Sequence, residues 1–105
     1  MKHHEVTMVR IYCTEGEHLL KQLLARLHDE EKVWGVTVFR GISGFGKSGH
    51  MHSSDLLDLS LDLPLVIEFF DEPTKVRRIL THLNDILKPG HVVTWPAQVN
   101  AAADR

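Results

Sequence analysis

Two amphipathic helical segments, each with strand-like runs on both sides, constrain the fold of this chain more than any other feature. Leucines recur at helical spacing over residues 17–31, and aliphatic residues do so from Pro73 to Lys88. Four runs rich in β-branched and apolar residues are typical of strands, at residues 5–13, 34–40, 63–70 and 92–95. The order β-α-β-β-α-β predicts a ferredoxin-like α+β sandwich, in which two helices cover one face of a four-stranded antiparallel sheet.

The ends of these elements carry local signals. Thr14 and Glu17 have the spacing of a capping box before the first helix. Pro73 is suited to the first turn of the second helix, and Lys88-Pro89-Gly90 is suited to end it. Residues 100–105 are predicted to form a flexible tail. A chain of 105 residues then corresponds to one domain, residues 1–105.

Composition narrows the class of protein. The net charge of −2 argues against a nucleic-acid-binding protein, which usually presents a basic face. The apolar runs are too short for a transmembrane helix, and the N-terminal residues do not fit a signal peptide, so we expect a cytoplasmic protein. A single cysteine, Cys13, excludes an internal disulfide framework. We expect Cys13 to be a small buried hydrophobe.

A glycine-rich loop at residues 40–50 is the main candidate for a functional site. It holds four of the seven glycines, together with two cations and a histidine. Backbone N–H groups in such a loop can face an anion, because no side chains obstruct its approach. We therefore predict that a small anionic ligand binds at Arg40, Gly41, Gly44, Phe45, Gly46 and Lys47. The alternative is that the glycines only permit an unusual backbone path.

Two features of this loop have competing interpretations. Arg40 could hold a phosphate with its guanidinium, or it could form an ion pair with Glu68 of a neighbouring subunit. The stretch from Gly41 to Ser48 also matches the spacing of a phosphate-binding P-loop. We reject the P-loop, because it requires a helix at its lysine and here Gly49 follows directly after Ser48.

The sheet face away from the helices has a mixed composition. It is predicted to carry polar, charged and apolar side chains together, namely Arg10, Tyr12, Val66, Glu68 and Phe70. Such a face is too apolar to remain fully solvated and too polar for the core of a monomer. We therefore expect neighbouring subunits to cover it.

The whole chain resembles the PII-like superfamily of small trimeric signalling proteins, and within it the family called domain of unknown function 190. The resemblance rests on residues 40–46, on His52 and on residues 62–68, Asp-Leu-Pro-Leu-Val-Ile-Glu. It implies a homotrimer whose long connection at residues 41–62 corresponds to the mobile T-loop of PII proteins. It also implies binding of an adenine nucleotide in clefts between subunits, since residues 44–47 are similar to the nucleotide-binding stretch of PII proteins.

The sequence also departs from true PII proteins. Those are often modified on a T-loop tyrosine, whereas the one tyrosine here is Tyr12, on the first predicted strand. The basic loop before the last strand is reduced to Lys88-Pro89-Gly90-His91. A smaller adenylate, or another anion, therefore suits the sequence as well as ATP does.

Three functions follow as hypotheses. The first is a regulatory trimer that binds a small anion and uses its T-loop to contact a protein partner, such as a membrane transporter or an enzyme. The second is a trimer that binds a divalent metal through His50 and His52, similar to the divalent-cation tolerance proteins. The third is an enzyme, which we do not expect, because no nucleophile–base pair or carboxylate dyad is recognisable.

Overall fold

The computed structural model describes residues 2–46, 49–53 and 62–101. Its strands are β1 (Lys2–Thr14), β2 (Val36–Arg40), β3 (Ser43–Phe45), β4 (Met51–Ser53), β5 (Pro64–Asp71) and β6 (Val92–Ala101). Its helices are α1 (Leu20–Ala25), which continues as a π-helical turn over Arg26–Glu30, and α2 (Pro73–His82). A short 3₁₀ turn, Glu15–Glu17, joins β1 to the segment before α1.

The main sheet has the strand order β2-β5-β1-β6, and every neighbouring pair is antiparallel. This is the order expected of a split β-α-β arrangement, so the predicted ferredoxin-like fold is confirmed. The register places Arg10 opposite Glu68 and Tyr12 opposite Val66. Directly paired residues share a sheet face, so these four side chains lie together on the face opposite the core, as the alternation predicted.

The core lies between the helices and the other sheet face. In β5 every second residue is buried, which is the pattern of a strand covered on one side. The helices contribute side chains one turn apart on their inner faces. The core cluster comprises Val9, Ile11, Cys13, Leu23, Leu27, Leu65, Ile67, Phe69, Val76, Ile79 and Leu83. The prediction that Cys13 is buried is confirmed.

The outer strands are longer than predicted. β1 begins at Lys2, and β6 continues to Ala101, with Lys2 paired to Ala101. The prediction of a flexible tail is therefore wrong for Asn100 and Ala101, and residues 102–105 lie outside the described part of the chain. Tertiary pairing explains the difference, because each strand supplies the hydrogen-bond partners of a segment that has little strand propensity by itself.

The first helix begins later than predicted. Thr14 is the last residue of β1 and makes no capping hydrogen bond, so the predicted capping box with Glu17 does not form. The chain instead turns through His18, whose φ of 57° is left-handed, before α1 begins at Leu20. The Glu15 N–H donates to the Leu63 carbonyl at 3.0 Å, so the turn is tied to the residue that precedes β5.

The second helix begins as predicted and ends earlier. Pro73 lies in its first turn, and the regular helix stops at His82 rather than at Lys88. Turns continue beyond it, with the Leu87 N–H donating to the Leu83 carbonyl at 3.1 Å. Leu83 remains fully buried, so the apolar spacing correctly identified the packed face although the helix does not extend along all of it.

Candidate ligand-binding site

The glycine-rich segment contains a short hairpin that the sequence did not reveal. β3 pairs antiparallel with β4, with Gly44 opposite His52 and Phe45 opposite Met51. Gly49 has a φ of 77°, a left-handed conformation that favours glycine. The one signal available from sequence was the density of turn-forming glycines between two short apolar stretches. Lys47, which we predicted to bind the ligand, lies outside the described residues.

Two glycines of the predicted site are required by a close approach to β5. A Cβ atom at Gly41 would lie 2.7 Å from Cγ of Pro64, and one at Gly44 would lie 3.4 Å from the same atom. The Gly41 N–H donates to the Pro64 carbonyl at 2.7 Å. The N–H of Gly41 is therefore committed to the fold rather than directed at an anion, whereas Gly46 has open space around its Cα.

Arg40 is held by the 3₁₀ turn. Its Nε contacts the carboxylate of Glu15, and its guanidinium remains mostly exposed. Within the described chain Glu68 contacts Arg10 instead, with 2.7 Å between Arg10 Nε and Glu68 Oε1. Within one chain, Arg40 therefore contacts the residue that follows β1, and its pairing with Glu68 of a neighbouring subunit stays a prediction.

The same turn contacts two further segments. Lys88, in the connection before β6, has its Nζ 3.4 Å from Oε2 of Glu17. The carboxylate of Asp62, where the description of the chain resumes before β5, accepts a hydrogen bond from the Gly16 N–H. Residues 15–17 thus contact both ends of the connection 41–62 and the one basic side chain of the shortened loop before β6. Sequence reasoning missed the role of this turn, because Glu17 was assigned to the start of the helix and to a capping box with Thr14.

Three large apolar side chains of the hairpin region face solvent in the single chain. Ile42 is 80% exposed, Phe45 is 70% exposed and Met51 is 50% exposed. Apolar groups clustered in this way mark surfaces that contact another molecule more often than surfaces that remain solvated. The ring of Phe45 is therefore accessible to a ligand, to another subunit or to a protein partner.

The two histidines of the predicted metal site lie in and beside β4. His50 is exposed and His52 belongs to β4. Over residues 2–46, 49–53 and 62–101 there is no group of three or more His, Cys, Asp or Glu residues able to hold a metal ion. The ring of His91 is bound elsewhere, with its Nδ1 3.0 Å from the carbonyl oxygen of Tyr12. The described residues thus provide no support for the predicted metal site.

Two ionisable groups have pKa values shifted by their surroundings. Burial, with a smaller contribution from the nearby Glu17 carboxylate, raises the pKa of the Cys13 thiol to about 11. Cys13 is therefore protonated and unreactive at neutral pH. The hydrogen bond to Glu68 raises the pKa of Arg10, whose guanidinium also lies 5.5 Å from the centre of the Trp95 ring. Arg10 is a permanent cation in the middle of the open sheet face.

The chain shares its fold with solved PII-like proteins. It superposes with a TM-score of 0.67 on CPII, a nitrogen regulatory PII-like protein from Thiomonas intermedia K12 bound to ADP, AMP and bicarbonate, at 21% identity over 95% of this chain and 100% of that one. It superposes with a TM-score of 0.63 on a PII-like signalling protein from Thermus thermophilus, at 19% identity over 94% of this chain and 91% of that one. At these identities the similarity establishes the shared fold.

The family is shown by sequence. Residues 6–99 match the model of DUF190, described as "Uncharacterized ACR, COG1993", and the chain belongs to that family. A UPF0166 protein from Aquifex aeolicus (strain VF5) is 39% identical over 81 residues, which cover 72% of this chain and 76% of that protein. The proposed resemblance to the PII-like family called domain of unknown function 190 is thereby confirmed. Among the described residues, no helix has the length and apolar character needed to cross a membrane.

Proposed function

We propose that this protein is a PII-like regulatory module that binds a small anionic ligand, an adenine nucleotide, in clefts between the subunits of a homotrimer. The observation that carries the proposal is the convergence of two exposed cations on one turn. Arg40 is the last residue of β2, and Lys88 lies in the connection before β6. Both contact the turn at residues 15–17, which lies beside the glycine-rich segment. Two cations beside a segment that permits close backbone approach are suited to an anion with several phosphate oxygens.

The comparisons support an adenine nucleotide as the class of ligand. CPII, which shares the fold, has been solved with ADP, AMP and bicarbonate. The glycine-rich segment here lies at the end of β2, directly against the start of β5. Binding there would use backbone N–H groups of the hairpin together with the two cations, so charge and shape would both contribute to recognition.

We assign the exposed apolar residues of the hairpin to contact with a protein partner, such as a membrane transporter or an enzyme. Ile42 and Phe45 are the most exposed of the large apolar side chains described. Ligand binding at the base of the same segment would change which of its conformations is populated, and the partner would respond to that change. The proposal assigns regulation by binding and not catalysis.

Isothermal titration with ADP tests the proposed ligand. We expect the wild-type chain to bind ADP and Lys47→Ala to bind at least about 3-fold more weakly, because one charge-assisted contact to phosphate is lost. Lys21→Ala is the matched control, since it removes the same charge from an exposed position on α1. A thermal shift with ADP at 100 times its Kd should accompany binding, with a stabilisation of about 2.7 kcal/mol per site. No ADP binding by the wild-type chain would contradict the proposal, and equal affinity in Lys47→Ala and wild type would exclude Lys47 from the site.

A further inference from the structure

The two ion pairs at the candidate site are asymmetric. The side chain of Arg40 is 65% exposed and that of its partner Glu15 is 25% exposed. Lys88 and Glu17 repeat the pattern, at 60% and 21%. In each pair the carboxylate is held within the fold and the cation reaches it from the solvent side. The cation is therefore the member that is free to move to another anion.

The carboxylates depend on these cations for compensation. Oε1 of Glu15 and Oε2 of Glu17 are both buried, and neither accepts a hydrogen bond of acceptable geometry from the described residues. Each of these oxygens nevertheless lies within ion-pair distance of its cation. If a cation leaves to contact a ligand, a partly desolvated negative charge remains without a partner, which is unfavourable.

The turn is also fixed in place by its backbone. The Glu15 N–H donates to the Leu63 carbonyl at 3.0 Å, and the Gly16 N–H donates to the carboxylate of Asp62. A Cβ atom at Gly16 would lie 2.7 Å from the Asp62 carboxylate, so the turn and residue 62 are in close contact. The two glutamates therefore cannot easily follow the cations or turn outward into water.

We propose that Glu15 and Glu17 act as built-in competitors for the anionic ligand, occupying the Arg40 and Lys88 cations until the ligand displaces them. This inference rests on the proposed function and adds its regulation. The turn occupies the place of the ligand's phosphate oxygens and weakens binding, so only an anion with enough charge to replace both carboxylates binds well. A single carboxylate or a chloride ion would replace one weak ion pair with another, so its binding gains little free energy.

The test is the affinity of Glu15→Gln for ADP. If Glu15 competes with the ligand, the neutral amide lowers the Kd about 5-fold, the range of a partly exposed ion pair. If Glu15 instead positions Arg40 for the ligand, the same substitution raises the Kd or leaves it unchanged, which would overturn the proposal. Glu30→Gln is the matched control, since it removes the same charge from an exposed residue. Glu30 lies in the helical turn that continues α1, with its Oε2 3.9 Å from Nε of Arg26.

A second variant and a second readout keep the two proposals separate. Glu17→Gln should also lower the Kd for ADP, which covers the case in which Glu15→Gln does not fold. By NMR, the Nε–H signal of Arg40 in the wild-type chain should move on addition of pyrophosphate towards its position in Glu15→Gln. A signal that pyrophosphate leaves unchanged would overturn the competition, whether or not ADP binds. ADP binding that is equal in wild type and both Gln variants would leave the proposed function intact and overturn this inference.

Discussion

At the scale of single residues, the glycine-rich segment illustrates how one residue type meets different requirements. Gly41 is a glycine because Pro64 occupies the space of its side chain, and its N–H serves the backbone of β5. Gly49 adopts a left-handed backbone conformation. Gly46 has neither constraint within the described structure. The sequence correctly marked the segment as exceptional, but it could not separate these roles, because the close approach of Pro64 depends on the tertiary fold.

Gly41→Ala should destabilise the protein by about 1–3 kcal/mol, because the added methyl group would overlap Pro64 and force the two segments apart. The measurement is the free energy of unfolding from urea titration. Gly35→Ala is the control, since nothing lies within 4 Å of a Cβ atom there. We expect Gly35→Ala to be neutral or slightly stabilising. If Gly41→Ala loses no more stability than Gly35→Ala does, residue 41 does not approach Pro64 closely.

At the scale of secondary-structure elements, the elements with clear periodicity were predicted and those that depend on a partner were not. Both helices and all four strands of the main sheet were recognisable from apolar spacing. The β3–β4 hairpin was missed, because each strand has three residues and little propensity of its own. The 3₁₀ turn at residues 15–17 was missed because its residues continue a pattern that also suits a helix.

The junction between β5 and α2 depends on one buried carboxylate. Asp71 is fully buried, and its Oδ1 accepts a hydrogen bond from the Glu72 N–H at 2.8 Å. Its Oδ2 lies 2.8 Å from Nζ of Lys75, which also donates to the Lys32 carbonyl at 3.0 Å. Asp71 therefore links the end of β5, the first turn of α2 and the segment that leads into β2.

Asp71→Ala should lower the free energy of unfolding by about 3 kcal/mol, because Lys75 would lose its buried counter-charge and the Glu72 N–H its acceptor. Chemical denaturation followed by circular dichroism measures the change. Asp85→Ala removes an exposed carboxylate, 3.2 Å from Arg26, and should cost less than about 1 kcal/mol. Similar losses in the two variants would indicate that burial of Asp71 does not strengthen its contacts.

At the scale of the whole molecule, one face of the sheet remains open in the single chain. The large apolar side chains that are exposed in the main sheet include Tyr12 on β1, Phe39 on β2 and Val93 on β6. The Arg10–Glu68 pair lies in the middle of this face, where Arg10 also stacks on Trp95. A subunit that covers this face would bury the apolar side chains together with an ion pair whose two charges already compensate each other.

We expect a homotrimer in solution, with sedimentation equilibrium giving three times the mass of one chain. Tyr12→Glu places a carboxylate beside Val66 and Arg10 on the open face, where a covering subunit would have to desolvate it, and should dissociate the assembly into single chains. Lys21→Glu changes charge on an exposed helical position and should leave the mass unchanged. A monomeric wild-type chain, or a Tyr12→Glu variant with unchanged mass, would contradict this assignment of the open face.

The sequence by itself determined the order of the elements, the side of each that faces the core, the family and the location of the exceptional segment. These properties follow from local spacing and from residue types that act within a few positions of the chain. Only the tertiary structure decided that Arg40 contacts Glu15, that Lys88 contacts Glu17 and that Asp62 contacts Gly16. Such contacts join residues far apart in the chain, and they depend on the register in which β1, β2 and β5 pair, which single residues do not encode.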